Sequence, residues 1–179
     1  MRTGTRTTIA LCAVAILAAG SLNVNADEST DKITLRAVTP KQFNAVLEKS
    51  KGKVVLIDFW ATSCRPCRAQ FPHTVALQKK LASRGLFVIS MSCDDEESHE
   101  EALKFLVKSK SNVLNLRSTL GASDETYSAY EIDSGALPHY KLYDREGKLR
   151  KTFAVDPTAK KQFTTDDIDA AVEQLLAEK

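Results

Sequence analysis

The chain has 179 residues, with 25 Lys and Arg against 23 Asp and Glu and a formal net charge of +2. That balance, spread without a basic block, excludes the electrostatic footprint of a nucleic-acid binder, so no nucleic acid is expected as a partner. Four cysteines in a chain this long do not make a disulfide-stapled scaffold, and the length is enough for one domain with its own core.

The N-terminus places Arg2 and Arg6 ahead of "IALCAVAILAA" (residues 9–19), which is followed by small residues and by "VNA" just before Asp27. Eleven apolar residues fall well short of the about 20 that a bilayer span requires. Residues 1–26 are therefore expected to be a signal peptide cleaved after Ala26, with an uncleaved membrane anchor as the alternative. Cleavage would remove Cys12 and both arginines, leaving residues 27–179 as one formally neutral domain. The expected location is periplasmic or otherwise extracytoplasmic.

"ITLRAV" (33–38) alternates like a half-buried strand. Pro40 opens a helix whose Phe43, Val46 and Leu47 share a face, with Gly52 as a stop. "KVVLIDFW" (53–60) is the near-continuous apolar run of a central parallel strand covered on both faces. A helix carrying Val75, Leu77 and Leu81 follows and ends near Gly85, and "LFVISMS" (86–92) is a second buried strand. "ESHEEALKFLVKSK" (97–110) has acids at its start and lysines at its end, as the helix dipole favours. A short strand "VLNLR", a short helix "SDETYSAYEI", a hairpin turning at "REGK" and a C-terminal helix capped by Thr164 or Thr165 complete the pattern. Alternating strands and helices ending in a hairpin predict an α/β fold with a mixed sheet.

The chemistry sits in "DFWATSCRPCRAQFP" (58–72). A strand, then Cys-x-x-Cys, then a helix puts Cys64 at the helix N-terminus. Free backbone N–H groups and the positive end of the dipole stabilise a thiolate there. Cys67 lies one turn on, within disulfide reach, so Cys64 can attack a substrate disulfide and Cys67 can resolve the mixed disulfide. Pro66 suits the first turn, where no N–H is needed. A metal site could recruit His73 or Cys93, but no second Cys-x-x-Cys or His pair completes a tetrahedral set. Cysteine number and context thus favour a redox pair over a metal half-site or an inert clip. Asp58, between Ile57 and Phe59 in a buried strand, is costly as an anion. Burial should raise its pKa and make it a proton acceptor for a buried thiol, unless it is a strand-end carboxylate satisfied by backbone. Cys93, at the end of the next strand, reads as a buried small hydrophobe.

The segment "VVLIDFWATSCRPCRAQFP" resembles the active-site segment of the thioredoxin superfamily. Together with "GALPHYKLYDREGKL" (135–149) it makes the chain similar to the exported, TlpA/ResA-like thiol–disulfide oxidoreductases. The resemblance implies a thioredoxin fold: a central mixed sheet flanked by helices, with an N-terminal strand and a central helical insertion at 98–110. It implies that Pro138 is cis and faces the cysteines, with Leu137 beside it in the substrate-docking loop, and that Pro72 kinks the active-site helix. It further implies Asp58 as the buried acid, and Trp60, Arg65 and Pro66 as the residues around the disulfide that meet substrate. Protein disulfides, apocytochrome c among them, are the implied substrates, and a membrane thiol reductase is the implied electron donor. No cofactor beyond the dithiol and no metal is expected. Three departures leave the direction of electron flow open: Ser63 before the first cysteine, Arg65 between the two, and His139 after the proline. His139 is either a specificity residue or an ordinary loop histidine. An oxidant of the same fold and a copper-handling module are the alternatives to a reductant.

Overall fold

The computed structural model describes Met1, residues 32–132 and residues 135–178. The expected signal peptide and its cleavage site lie outside the described residues. The fold below belongs to the unit that begins at Lys32.

Among the described residues, chain order gives six strands and five α-helices: β1 (Arg36–Val38), α1 (Pro40–Lys49), β2 (Val54–Trp60), α2 (Arg65–Leu81), β3 (Leu86–Ser92), α3 (His99–Lys108), β4 (Leu114–Ser118), α4 (Asp124–Ala129), β5 (His139–Tyr143), β6 (Leu149–Ala154) and α5 (Thr165–Ala177). Short 3-10 turns at Ala82–Arg84 and Glu96–Ser98 finish α2 and lead into α3. The strands form one sheet in the order β1-β4-β3-β2-β5-β6. Its β1-β4, β4-β3 and β3-β2 pairs are parallel, and its β2-β5 and β5-β6 pairs antiparallel. This is the expected mixed α/β sheet.

Local signals explain most boundaries. The Thr39 hydroxyl accepts from the Gln42 N–H (3.3 Å) while the Gln42 side chain accepts from the Thr39 N–H (2.9 Å), and Pro40 occupies the first turn of α1. Thr164, rather than Thr165, caps α5, in the same reciprocal arrangement with Asp167. In the β5-β6 turn, Asp144 Oδ1 accepts from the N–H groups of Glu146 and Lys148, and Gly147 takes the left-handed conformation (φ +80). β1 is shorter than the alternation over 33–38 suggests. Its pairing with β4 covers only Arg36 to Val38, while Leu35 and Ile33 pack into the cluster around Trp60.

Every residue of β2 is buried, and its side chains alternate between two cores. Val54 and Leu56 pack with Leu77 and Leu81 of α2 and Ile168 and Val172 of α5. Val55, Ile57 and Phe59 pack on the other face with Phe43 of α1 and Tyr130, just after α4. A third cluster unites Trp60, Cys67 and Phe71 with Ala102 and Leu106 of α3. The helix expected at 97–110 thus closes over the end of α2 that carries the cysteines.

Leu142 of β5 is fully buried in the first core and faces Leu56 across the β2-β5 ladder. Leu142→Ala should cost about 2–5 kcal/mol of unfolding free energy. Urea titration would register this as a lower midpoint at unchanged slope. A loss below about 1 kcal/mol would mean that this core collapses around the cavity.

Candidate active site: the Cys64–Cys67 disulfide

Cys64 is the N-cap of α2, its backbone extended (φ −82, ψ 94), and its Sγ accepts from the Cys67 N–H at 3.3 Å. The two cysteines are joined as a disulfide with a Cα–Cα distance of 5.3 Å. They are unequal. Cys67 is 1 % exposed, within the Trp60–Phe71 cluster, whereas Cys64 is half-buried at the helix tip. Cys67, Phe71, Thr74, Leu77 and Leu81 are the buried positions of α2, so the helix presents Cys67 inward on the same stripe that fills the core. Arg65 and Pro66 are exposed in the first turn, as is Ser63 before it.

Trp60 has no exposed surface. Its Nε1 donates to Ser90 Oγ at 2.7 Å, and its ring packs on Phe71 and Phe105. It shares a cluster with Cys67 and, in this oxidised state, has no exposed face for the docking role that the resemblance implies. Leu137 is half-buried and packs against the cluster that holds Cys67 and Cys64. The Leu137–Pro138 peptide bond is cis, and Pro138 is buried. His139 is no loop residue. It opens β5, is fully buried, pairs with Phe59 in the ladder and meets the Phe59 ring edge-on at 5.8 Å.

Asp58 is 1 % exposed and shares a face of β2 with Trp60. Thr74 Oγ1 donates to its Oδ2 at 2.6 Å, while Oδ1 has no hydrogen-bond partner among the described residues. Burial pushes its pKa up to about 7, an effect only partly offset by the Thr74 and Tyr140 hydroxyls. The strand-end carboxylate satisfied by backbone is not what the fold contains. Thr74 lies seven residues beyond Cys67 on the same helical stripe, about 10 Å along the axis, so Asp58 lies against the same buried face of α2 that carries Cys67.

Cys93 is buried beyond β3, and its N–H donates to the Trp60 carbonyl at 2.8 Å. Its side chain belongs to the core on the opposite face of the sheet from Asp58 and Trp60. Burial raises its thiol pKa, and the charges of Asp94 and Asp58 raise it further. His73, the other ligand considered for a metal, pairs with Asp169 of α5 at 2.8 Å. Among the described residues no group of three or more His, Cys, Asp or Glu side chains is placed to hold a metal ion.

Asp94 belongs to no motif that the sequence singles out. Almost fully buried, it accepts from the Thr62 N–H (2.8 Å), the Thr62 hydroxyl (2.6 Å) and the Ser92 hydroxyl (2.8 Å). It therefore holds the Ala61–Ser63 approach to Cys64, whose N–H closes back on the Ala61 carbonyl at 3.0 Å. The available signal was a run of four acids one residue after a buried strand, and Thr74 is reached by counting seven residues on from Cys67.

The Redoxin family matches residues 26–172, and the chain belongs to that family. The thiol-disulfide oxidoreductase ResA of Bacillus cereus is 30 % identical over 103 residues, which are 58 % of this chain and 56 % of that protein. The chain thus spans just over half the length of that relative. The thioredoxin-like protein YneN of Bacillus subtilis is 40 % identical over 58 residues, 32 % of this chain and 34 % of that one. Among solved structures, the thioredoxin domain of a thiol-disulfide oxidoreductase from Bacteroides vulgatus aligns with a TM-score of 0.55 at 26 % identity, covering 73 % of this chain and 84 % of that one. A Chlorobium tepidum protein assigned as a DsbE thiol:disulfide interchange protein gives a TM-score of 0.60 at 25 % identity, covering 73 % and 85 %.

The position of Asp58 fixes a pH dependence. Its carboxyl has a folded pKa near 7 and a reference value of 3.8. The folded state therefore holds a proton that the unfolded state has released across that window. The contribution of this group to stability is complete below about pH 4 and lost as the pH rises through about 7. At about 1.36 kcal/mol per unit, the loss is on the order of 4 kcal/mol. Asp58→Asn should lack this loss, so its stability relative to the wild type should rise from pH 4 to 7 and then level off. Denaturant titration of both proteins across that range would measure the difference, and a pH-independent difference would contradict the assignment.

Proposed function

We propose that this chain is an extracytoplasmic dithiol–disulfide oxidoreductase that reduces disulfides in exported proteins through Cys64 and Cys67. The observation that carries the reading is the unequal pair at the N-terminus of α2, with one sulfur at the helix tip and the other sealed in the core. The redox chemistry follows from that arrangement. In the reduced enzyme, the Cys64 thiolate attacks one sulfur of a substrate disulfide. That bond breaks, a mixed disulfide forms and the first substrate thiolate leaves. Cys67, deprotonated, then attacks Cys64, restoring the enzyme disulfide and releasing the second substrate thiolate. Two electrons pass to the substrate, and two protons end on its thiols. Asp58, with a pKa near 7 and a free Oδ1, is the acceptor for the proton that Cys67 must lose. Leu137 and Pro138 form the docking loop beside Cys64, with Arg65 and Pro66 on its other flank.

The apolar run at residues 9–19 and the "VNA" before Asp27 support export, with residues 1–26 as a signal peptide and residues 27–179 as the mature domain. Among the described residues no helix is long and apolar enough to cross a membrane. A membrane thiol reductase is the proposed electron donor, and exported thiol proteins of the apocytochrome c kind are the proposed substrates.

Cys67→Ser leaves the attacking thiol without its resolver, so mixed disulfides should accumulate through Cys64. Non-reducing gels of an extracytoplasmic extract would reveal them, and trapping by Cys64→Ser instead would reverse the two roles. Equilibration in redox buffers, followed through Trp60, gives the direction of electron flow. A potential near that of thioredoxin, about −270 mV, is expected, and one near −120 mV would make the protein an oxidant.

A further inference from the structure

The outward face of α2 plays no part in the electron and proton transfers above, although its first residue, Arg65, flanks the docking loop. Arg65, Arg68 and Pro72 recur there at helical spacing, opposite the buried Cys67–Phe71–Thr74 stripe. Phe105 and Lys108 of α3 face them across an open groove of about 670 Å³. Three cations line this groove and no acid does. Arg65, Arg68 and Lys108 form no ion pair among the described residues, as is true of other exposed cations such as Lys79, but here three such cations line one groove. Arg68 is nevertheless held in place. Its Nη1 donates to the Thr62 carbonyl at 3.3 Å, and its guanidinium lies over the Phe105 ring, 5.4 Å from the centroid. A guanidinium has five N–H donors, so most of those on Arg68 are left for solvent or a ligand.

Gathering like charges without a counter-charge is unfavourable, and an anionic occupant relieves it. From these positions we infer that the groove binds an acidic segment of the protein whose disulfide Cys64 attacks, an inference that rests on the redox reading above. The distances set its register. The Arg68 N–H donates to the Cys64 carbonyl at 3.1 Å, so Arg68 lies one turn from the attacking sulfur's residue, a rise of about 5.4 Å. An extended peptide advances about 3.3 Å per residue. Its carboxylates would therefore lie roughly two to five residues from the substrate cysteine, with Phe105 and Pro72 as the apolar floor between the cations.

The test uses the full chain, reduced, and three peptides that share one intramolecular disulfide. They carry Glu, Gln or Lys at the second to fifth positions from one cysteine. At low salt the Glu peptide should be reduced about tenfold faster than the Lys peptide, with Gln between them, and high salt should remove most of the gap. Lys108→Glu, on the wall away from the cysteines, should narrow the Glu-to-Lys rate ratio about threefold, and Lys108→Gln should narrow it less. Equal rates for the three peptides, or a ratio indifferent to both substitutions, would overturn the groove while leaving the redox reading standing. Reduction of none of them would overturn the redox reading itself and the groove with it.

Discussion

Burial of one face of α2 against the sheet sets the rotation of that helix, and the site follows from the rotation. Phe71, Leu77 and Leu81 are each at most 4 % exposed, and each such side chain is worth about 1.5–3 kcal/mol when fully removed from water. Turning the helix by one residue would bring much of that surface out, at a cost of several kcal/mol. A change of one unit in a thiol pKa is worth only about 1.36 kcal/mol. Packing therefore outweighs the preferences of the thiols and decides which of them is sealed. Cys67 shares the buried stripe and faces inward, while Cys64, three residues earlier and outside the first turn, is left at the tip.

Two buried carboxylates flank this arrangement, and their hydrogen bonds separate their roles. Asp94 uses both oxygens to hold Thr62 and Ser92, which fixes the backbone leading into Cys64. Asp58 has one oxygen held by Thr74 and the other without a partner, in a setting where desolvation dominates. A buried acid whose acceptors are all occupied is a strut, and one with a free oxygen and a pKa near neutrality can take up a proton. The two central strands β2 and β3 thus supply, in β2 and just beyond β3, the titratable group of the site and its rigid support.

The strands and helices were readable because local patterns and the tertiary environment agree. β2 reads as a buried strand and is one, and the periodicity, acids and lysines of 97–110 fall on α3 and the turn before it. The cysteine pair was legible from spacing alone, and Asp58 from the conflict between its charge and its apolar neighbours. Contacts between distant segments were not legible. Asp94 reads as one of several acids in "CDDEES" until the fold sets it against Thr62, 32 residues away. His139 reads as a loop histidine because the strand starts directly after a proline, and its burial depends on ladder partners on both β2 and β6. Trp60 reads as a neighbour of the cysteines, but that none of its surface stays open depends on α3 packing Phe105 over its ring.

The cap of α2 links this architecture to the chemistry. An N-cap side chain accepts a hydrogen bond from one of the first free N–H groups of a helix, a position usually held by Ser, Thr, Asp or Asn. Here a cysteine holds it, and its sulfur already accepts from the Cys67 N–H while engaged in the disulfide. A thiolate at Cys64 is a stronger acceptor than a neutral sulfur, so reduction increases the value of a bond whose donor is already aimed. The donor does not have to reorganise when charge appears, because the buried stripe of the same helix holds it still. Core packing, capping and sulfur electrostatics are in this way consequences of where one helix begins.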